Sequence, residues 1–392
     1  MTAITNQPVL PAVVPPSWWE RQTDRIMRRP FNEWTFTHMN WLLPTSTVAR
    51  GPVTRPLPVR HEPLDLTYRF DDRDHSLTDL HRRTHTTAFV VLHRGRIVYE
   101  SYPGRFASAR TRMQLFSVSK SITSLLIGIA LADGAIGNVK DQVVDYRPDF
   151  RGTAYDGVTV ADLLDMCSGV GDQEVWDLNS PIRRFERAVI NGGDVAEIIR
   201  AAQRTCEPGT SFNYSTFDNQ MLGWVLEAAT GQPLASYCSD RLWGPIGAER
   251  DAFYGLTRSH PRTAVGSGAF NATARDLARV GQLMVDDGVV GDREIVPAEW
   301  VRRSRGSGLP HLAVGALGDA EPGHYGYANQ WWTLGESAFH AFTGLGVHGQ
   351  FLFVDPAADV VIVKCSAWST EEDHARDRET ITAMRRIADH FA

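Results

Sequence analysis

The chain has 392 residues, 43% of them hydrophobic and 22% charged, which is the balance of an ordinary soluble globular protein with room for one large composite domain or two. Its formal net charge of -6 argues against nucleic acid or an anionic membrane surface as the main partner, because both attract basic surfaces. The longest apolar run, Leu125 to Ala132, is too short to span a bilayer.

Residues 1–60 are rich in Pro and Trp and weakly periodic, so an extended segment packed over the body is expected there. Its opening, "MTAITNQPVLPAVVPPSWWERQ", lacks the basic start, apolar centre and small-residue cleavage site of a signal peptide. Cys167, Cys206, Cys238 and Cys365 are scattered without a C-x-x-C pair, and a reducing cytoplasm is the expected location. "TTAFVVLHRGRIVYESY" (86–102) is two strand-like runs about a His93-Arg94-Gly95-Arg96 turn, which predicts a hairpin. Next comes "LFSVSKSITSLLIGIALADG" (115–134), apolar nearly all round and therefore a buried helix.

Helix ends with Gly stops are predicted at 159–169 and 236–247. In 272–290, Leu277, Val280, Leu283 and Met284 fall at helical spacing behind a capping-box-like Thr273 and Asp276. "GQFLFVDP" (349–356) and "DVVIVKCSAW" (359–368) return to strand character, and "ETITAMRRIADHFA" (379–392) reads as a closing helix. Strands at both ends and helices between them predict one antiparallel sheet assembled from distant segments and flanked by helices. The expected division is an N-terminal segment (1–60), an α/β domain (61–150 and 285–392) and an inserted, mostly helical domain (151–284).

Only three of the 40 basic residues are lysine: Lys120, Lys140 and Lys364. Ser117 and Lys120 lie three residues apart, so they share one face of the first helical turn. A lysine beside a buried helix terminus is desolvated, which lowers its pKa and lets it exchange a proton with a hydroxyl; arginine cannot do this. Position 120 therefore calls for a titratable amine rather than for a cation. The helix N-terminus offers amides and partial positive charge to an oxyanion. Downstream, "EPGTSFNYSTFDNQ" (207–220) places Tyr214 in a polar loop before an apolar helix, and a tyrosine near a cationic lysine can serve as a base. "FTGLGVHGQFLFVDP" (342–356) is a Gly-rich entry to a strand, which permits close backbone approach to substrate.

Taken in this order, the S-x-x-K helix, the tyrosine loop and the Gly-rich strand resemble the serine hydrolases of the β-lactamase and penicillin-recognising superfamily, over roughly residues 80–392. Within it, "SVSKS" (117–121), "TARDLARVG" (273–281), "QWW" (330–332), "VHGQ" (347–350) and "VIVKCSAW" (361–368) look like segments of the 6-aminohexanoate-dimer (nylon-oligomer) hydrolases and related carboxylesterases. The resemblance implies an α/β (α+β) fold of the β-lactamase/DD-peptidase type, with the site in the cleft between the two domains. It also implies hydrolysis of a small linear amide or ester through an acyl-enzyme. Ser117 would be the nucleophile, and Lys120 would stabilise a Tyr214 phenolate that takes the serine proton and returns it to the leaving group. The backbone amides of Ser117 and Val347 would form the oxyanion hole.

Two positions depart from the superfamily pattern. Thr216 stands where Asn or Ser is expected two residues after the tyrosine, and "TGLGVHGQ" has no counterpart of the K-T-G lysine. Trp176, Trp331, Trp332 and Tyr325 are candidates to line an apolar acyl pocket, and Gly346 and His348 to face substrate. His81 and His85 sit one helical turn apart, but without H-E-x-x-H or a third ligand they do not make a metal site, and no metal or cofactor is expected. The expected partners are a small-molecule substrate and, as a homodimer, a second copy of the chain. Rival readings are a penicillin-binding or β-lactamase-like protein and a non-catalytic binding member of the fold.

Overall fold

Alternation of side chains along three central strands builds the frame on which the site rests. Ala88, Val90 and Leu92 of the strand Thr86–His93 point into one apolar cluster, while Phe89 and Val91 point into another. Leu352 and Val354 against Phe351 and Phe353, and Val361 and Val363 against Val360 and Ile362, divide the same way. A strand buried on both faces needs a helical layer on each side. Helices Val118–Ala132 and Ala274–Val285 cover one face; helices Leu77–Arg83 and His374–Phe391 cover the other. Each fully buried aliphatic side chain contributes about 1.5–3 kcal/mol to holding these layers together.

This computed structural model describes residues 24–171, 174, 176–177, 180–318, 322–335 and 340–392; the first 23 residues of the expected N-terminal segment lie outside them. The main sheet has seven antiparallel strands in the order Gly326–Ala328, Trp331–Thr333, Phe342–Gly346, Gln350–Asp355, Val360–Ser366, Thr86–His93 and Arg96–Ser101. Chain-distant strands meet at its centre, where Val363 pairs with Val90. The expected hairpin of 86–102 is present, with a bulge at Val91/Leu92.

Between the sheet segments lie the helices Val160–Leu164, Pro181–Asn191, Val195–Arg200, Thr216–Thr230 and Leu234–Cys238. A second, four-stranded antiparallel sheet joins Thr45–Val48, Ala252–Gly255, Phe270–Thr273 and Arg112–Gln114. Three expectations are corrected. The single antiparallel sheet expected is accompanied by this second one, two of whose strands, Ala252–Gly255 and Phe270–Thr273, lie within the stretch expected to be mostly helical. From residue 24 the N-terminal segment is not simply extended: it carries the short helices Asn32–Thr35 and Met39–Leu42 and a strand of the second sheet. The helix Ala274–Val285, capped by Thr273 as expected, packs on the main sheet, so the boundary drawn after 284 cuts through an element of the sheet layer.

Candidate active site

Ser117 occupies the N-cap position of the helix Val118–Ala132, directly after Phe116, whose φ of +46° turns the chain sharply into the helix. A capping serine ordinarily accepts a bond from an amide of the first turn. Ser117 does not; its Oγ accepts from Lys120 Nζ at 2.8 Å. The first turn is braced instead by Ser119, whose Oγ donates to the Phe116 carbonyl and accepts from the Phe270 amide. The serine hydroxyl is thus released from helix capping and engaged by the lysine.

Lys120 is 1% exposed. Its Nζ also donates to Thr216 Oγ1 at 3.2 Å and to the Ser267 carbonyl at 2.8 Å. Burial lowers its pKa to about 8, and the Glu174 carboxylate opposes that shift. Glu174 is half-buried, accepts from the Thr216 amide, and is itself raised by desolvation against the pull of Lys120. Thr216, the departure from the superfamily pattern, keeps the hydroxyl that the lysine needs.

Tyr214 and Thr216 flank Ser215, which caps the helix Thr216–Thr230 by accepting from the Asp218 amide at 3.3 Å. Asn219, one turn on, donates to Gln330 Oε1 at 2.9 Å and so ties this helix to the sheet behind the nucleophile. Lys120 Nζ lies 5.0 Å from the centre of the Tyr214 ring, a cation–π contact, and the ring stacks on Trp332 at 5.3 Å.

The strand Phe342–Gly346 brings Gly346 against the nucleophile: a Cβ there would lie 2.5 Å from the Leu115 carbonyl oxygen and 3.1 Å from the Ser117 amide nitrogen. Only glycine permits that approach. The Ser117 and Val347 amides donate to no protein acceptor among the described residues, and both residues line the cavities at the site. Two free amides beside a nucleophile are what an oxyanion hole requires.

Ser117 stands where two cavities meet, one of about 840 Å³ and one of about 90 Å³. Trp176 lines both; its indole donates to Glu372 at 2.9 Å and lies under the Arg183 guanidinium. Gly346 lines the small cavity. His348 borders the large one but is buried, its ring between Phe36 and Phe116 and its Nδ1 3.0 Å from the Trp368 carbonyl; burial lowers its pKa. Its contacts are those of a wall residue.

Trp331 is a correction. It is fully buried against Phe342 and lines neither cavity, because neighbours on a strand face opposite ways; Trp332 is the one that reaches the small cavity. Tyr325 is likewise buried, in the cluster behind Trp332. Sequence reasoning missed Glu174, whose segment has no periodic pattern, and the Ser267 carbonyl, a backbone group that no residue type announces. No group of three or more His, Cys, Asp or Glu among the described residues is placed to hold a metal ion. No helix among them is long and apolar enough to cross a membrane.

Comparison with known proteins agrees with the fold. Residues 70–384 match the beta-lactamase family model, and the chain belongs to that family. Within it the chain is a serine hydrolase, whose relatives include amide and ester hydrolases. It is 32% identical to 6-aminohexanoate-dimer hydrolase of Paenarthrobacter ureafaciens over 89% of this chain and 88% of that one. Esterase EstB of Burkholderia gladioli is 30% identical over 42% of this chain and 46% of its own. A solved structure from Bacillus anthracis, assigned as a 6-aminohexanoate-dimer hydrolase, superposes with a TM-score of 0.82 at 27% identity, covering 93% of this chain and 95% of the other.

Proposed function

We propose that this hydrolase cleaves small linear amides or esters, with the 6-aminohexanoate dimer as the model amide, through an acyl-enzyme on Ser117. The observation that carries the reading is the 2.8 Å contact between Lys120 Nζ and a serine hydroxyl that caps nothing, beside two free amides. Neutral Lys120 takes the Ser117 proton as Oγ bonds to the substrate carbonyl carbon, and the carbonyl oxygen, now an anion, is held by the Ser117 and Val347 amides. The Tyr214 hydroxyl gives its proton to the departing nitrogen or oxygen as that bond breaks, and the Lys120 ammonium restores the phenol. Water then cleaves the acyl-serine by the reverse sequence. This order gives the first proton to Lys120 rather than to Tyr214, as the direct contact favours.

The substrate is a small molecule, and no cofactor enters the scheme. A cytoplasmic location suits the four cysteines, all of which are free. The test is amine release from the linear 6-aminohexanoate dimer, and p-nitrophenol release from p-nitrophenyl acetate, by the wild type and by Ser117→Ala. Turnover of either substrate that disappears in the variant is expected. Turnover that persists in the variant would remove Ser117 as nucleophile.

A further inference from the structure

The two cavities that meet at Ser117 differ in lining as well as in size. Tyr214 lines only the small one. The group that protonates the leaving atom must face it, so the leaving group belongs in the small cavity and the acyl chain in the large one; this assignment rests on the hydrolytic roles proposed above. Two stretches of chain supply much of the large cavity's apolar wall, and Phe116, Val265, Ala269 and Val347 add to it. Phe185 and Ile190 come from the helix Pro181–Asn191, and Met27, Met39, Leu42 and Leu43 come from the N-terminal segment. Those last four precede residue 70, where the family match begins. The family model therefore does not extend to this wall.

The segment is held in place rather than hung over the opening. Asn32 Nδ2 donates to the Trp368 carbonyl at 2.8 Å, and Arg258 donates to the Leu42 carbonyl at 2.5 Å. The strand Thr45–Val48 then pairs antiparallel with Ala252–Gly255. Met27 packs in the same small cluster as Phe116, which precedes Ser117, and Val347, which carries the second oxyanion amide. Three arginines stand on the lining, Arg183, Arg187 and Arg258; Arg183 is engaged with Glu186 and Glu371, and Arg258 with the Leu42 carbonyl. Beside the polar Asp24, Gln114 and Asn191, the lining on this side is mainly apolar and reaches the nucleophile, which favours a flexible hydrocarbon chain over a short polar one.

We propose that residues 24–43 form an acyl-specificity wall, and that the enzyme prefers unbranched, medium-length aliphatic acyl groups to short ones. The experiment is a series of p-nitrophenyl acetate, butyrate, hexanoate and octanoate with the wild type, Ser117→Ala, Leu42→Trp and Met27→Trp. In the wild type kcat/KM should rise with chain length, by up to about fourfold per buried methylene. Each tryptophan variant should cut the octanoate-to-acetate ratio by about tenfold or more, because the added ring fills the space the chain needs. A flat or falling series in the wild type would overturn the proposal, and that series stands whether or not the variants fold. So would an unchanged ratio in folded variants. Failure of the underlying reading looks different: no ester would be cleaved in a Ser117-dependent way, and the wall would fall with it.

Discussion

Lys120 answers to its surroundings more than to its charge. Three acceptors, Ser117 Oγ, Thr216 Oγ1 and the Ser267 carbonyl, surround an amine that burial holds at about 8. To accept the serine proton it must be neutral, so kcat/KM should climb as pH rises towards 8 and level off above it. Lys120→Arg retains the cation and loses the titration. In the folded variant it should lower kcat by about 10²–10⁴-fold in steady-state assays; near-normal turnover would refute this role. The serine–lysine pair was legible in the sequence because one helical turn fixes its geometry. Glu174 was not, since the Thr216 amide that it accepts from lies 42 residues along the chain.

The strand Phe342–Gly346 sets the second half of the site. Gly346→Ala would push a methyl group into the Leu115 carbonyl, which is backbone and cannot rotate away. The nucleophile turn would have to shift, and misplacement on this scale costs about 10²-fold in rate. Ester hydrolysis by a folded Gly346→Ala protein should show that loss, and an unimpaired rate would mean the strand does not register the oxyanion amides. Spacing revealed the strands of 86–102, 349–356 and 359–368 and the Thr273 cap, but not the strands of the second sheet. It did not reveal which of Trp331 and Trp332 faces the cleft, because two adjacent residues carry no phase. The closing helix begins at His374 rather than near 379, capped by Asp373, because its first turn is polar and shows no apolar stripe. The helical turns of the N-terminal segment were hidden as well: their packing partners, Phe116 and His348 around Phe36, lie far along the chain.

Across the whole molecule, the second buried lysine reports on stability. Lys364 is fully buried in the strand Val360–Ser366, with its Nζ donating to Ser366 Oγ and lying 5.5 Å from the ring centres of Phe351 and Trp368. Burial lowers its pKa to about 7, whereas an unfolded lysine titrates near 10.4. Between those values the unfolded chain binds more protons than the folded one, so this group's contribution to stability rises with pH across that window, and the penalty is complete below about 7. Lys364→Met keeps the volume and removes the amine. Thermal melts should show a higher Tm than wild type at pH 6, with the gap narrowing by pH 10; a Tm equally reduced at both would contradict the argument. The architecture was readable from the sequence because strands buried on both faces and a long apolar helix leave few arrangements. The cleft was only partly readable, because its walls come from segments joined by tertiary contacts alone.

The central claim is that Ser117 carries the acyl group, and an alkyl fluorophosphonate tests it directly. Intact mass and peptide mapping of the labelled native protein should find one phosphonyl group per chain, on Ser117, and none on Ser117→Ala. A protein that still hydrolyses p-nitrophenyl acetate yet takes no label, or takes it on another residue, would contradict the assignment of the nucleophile.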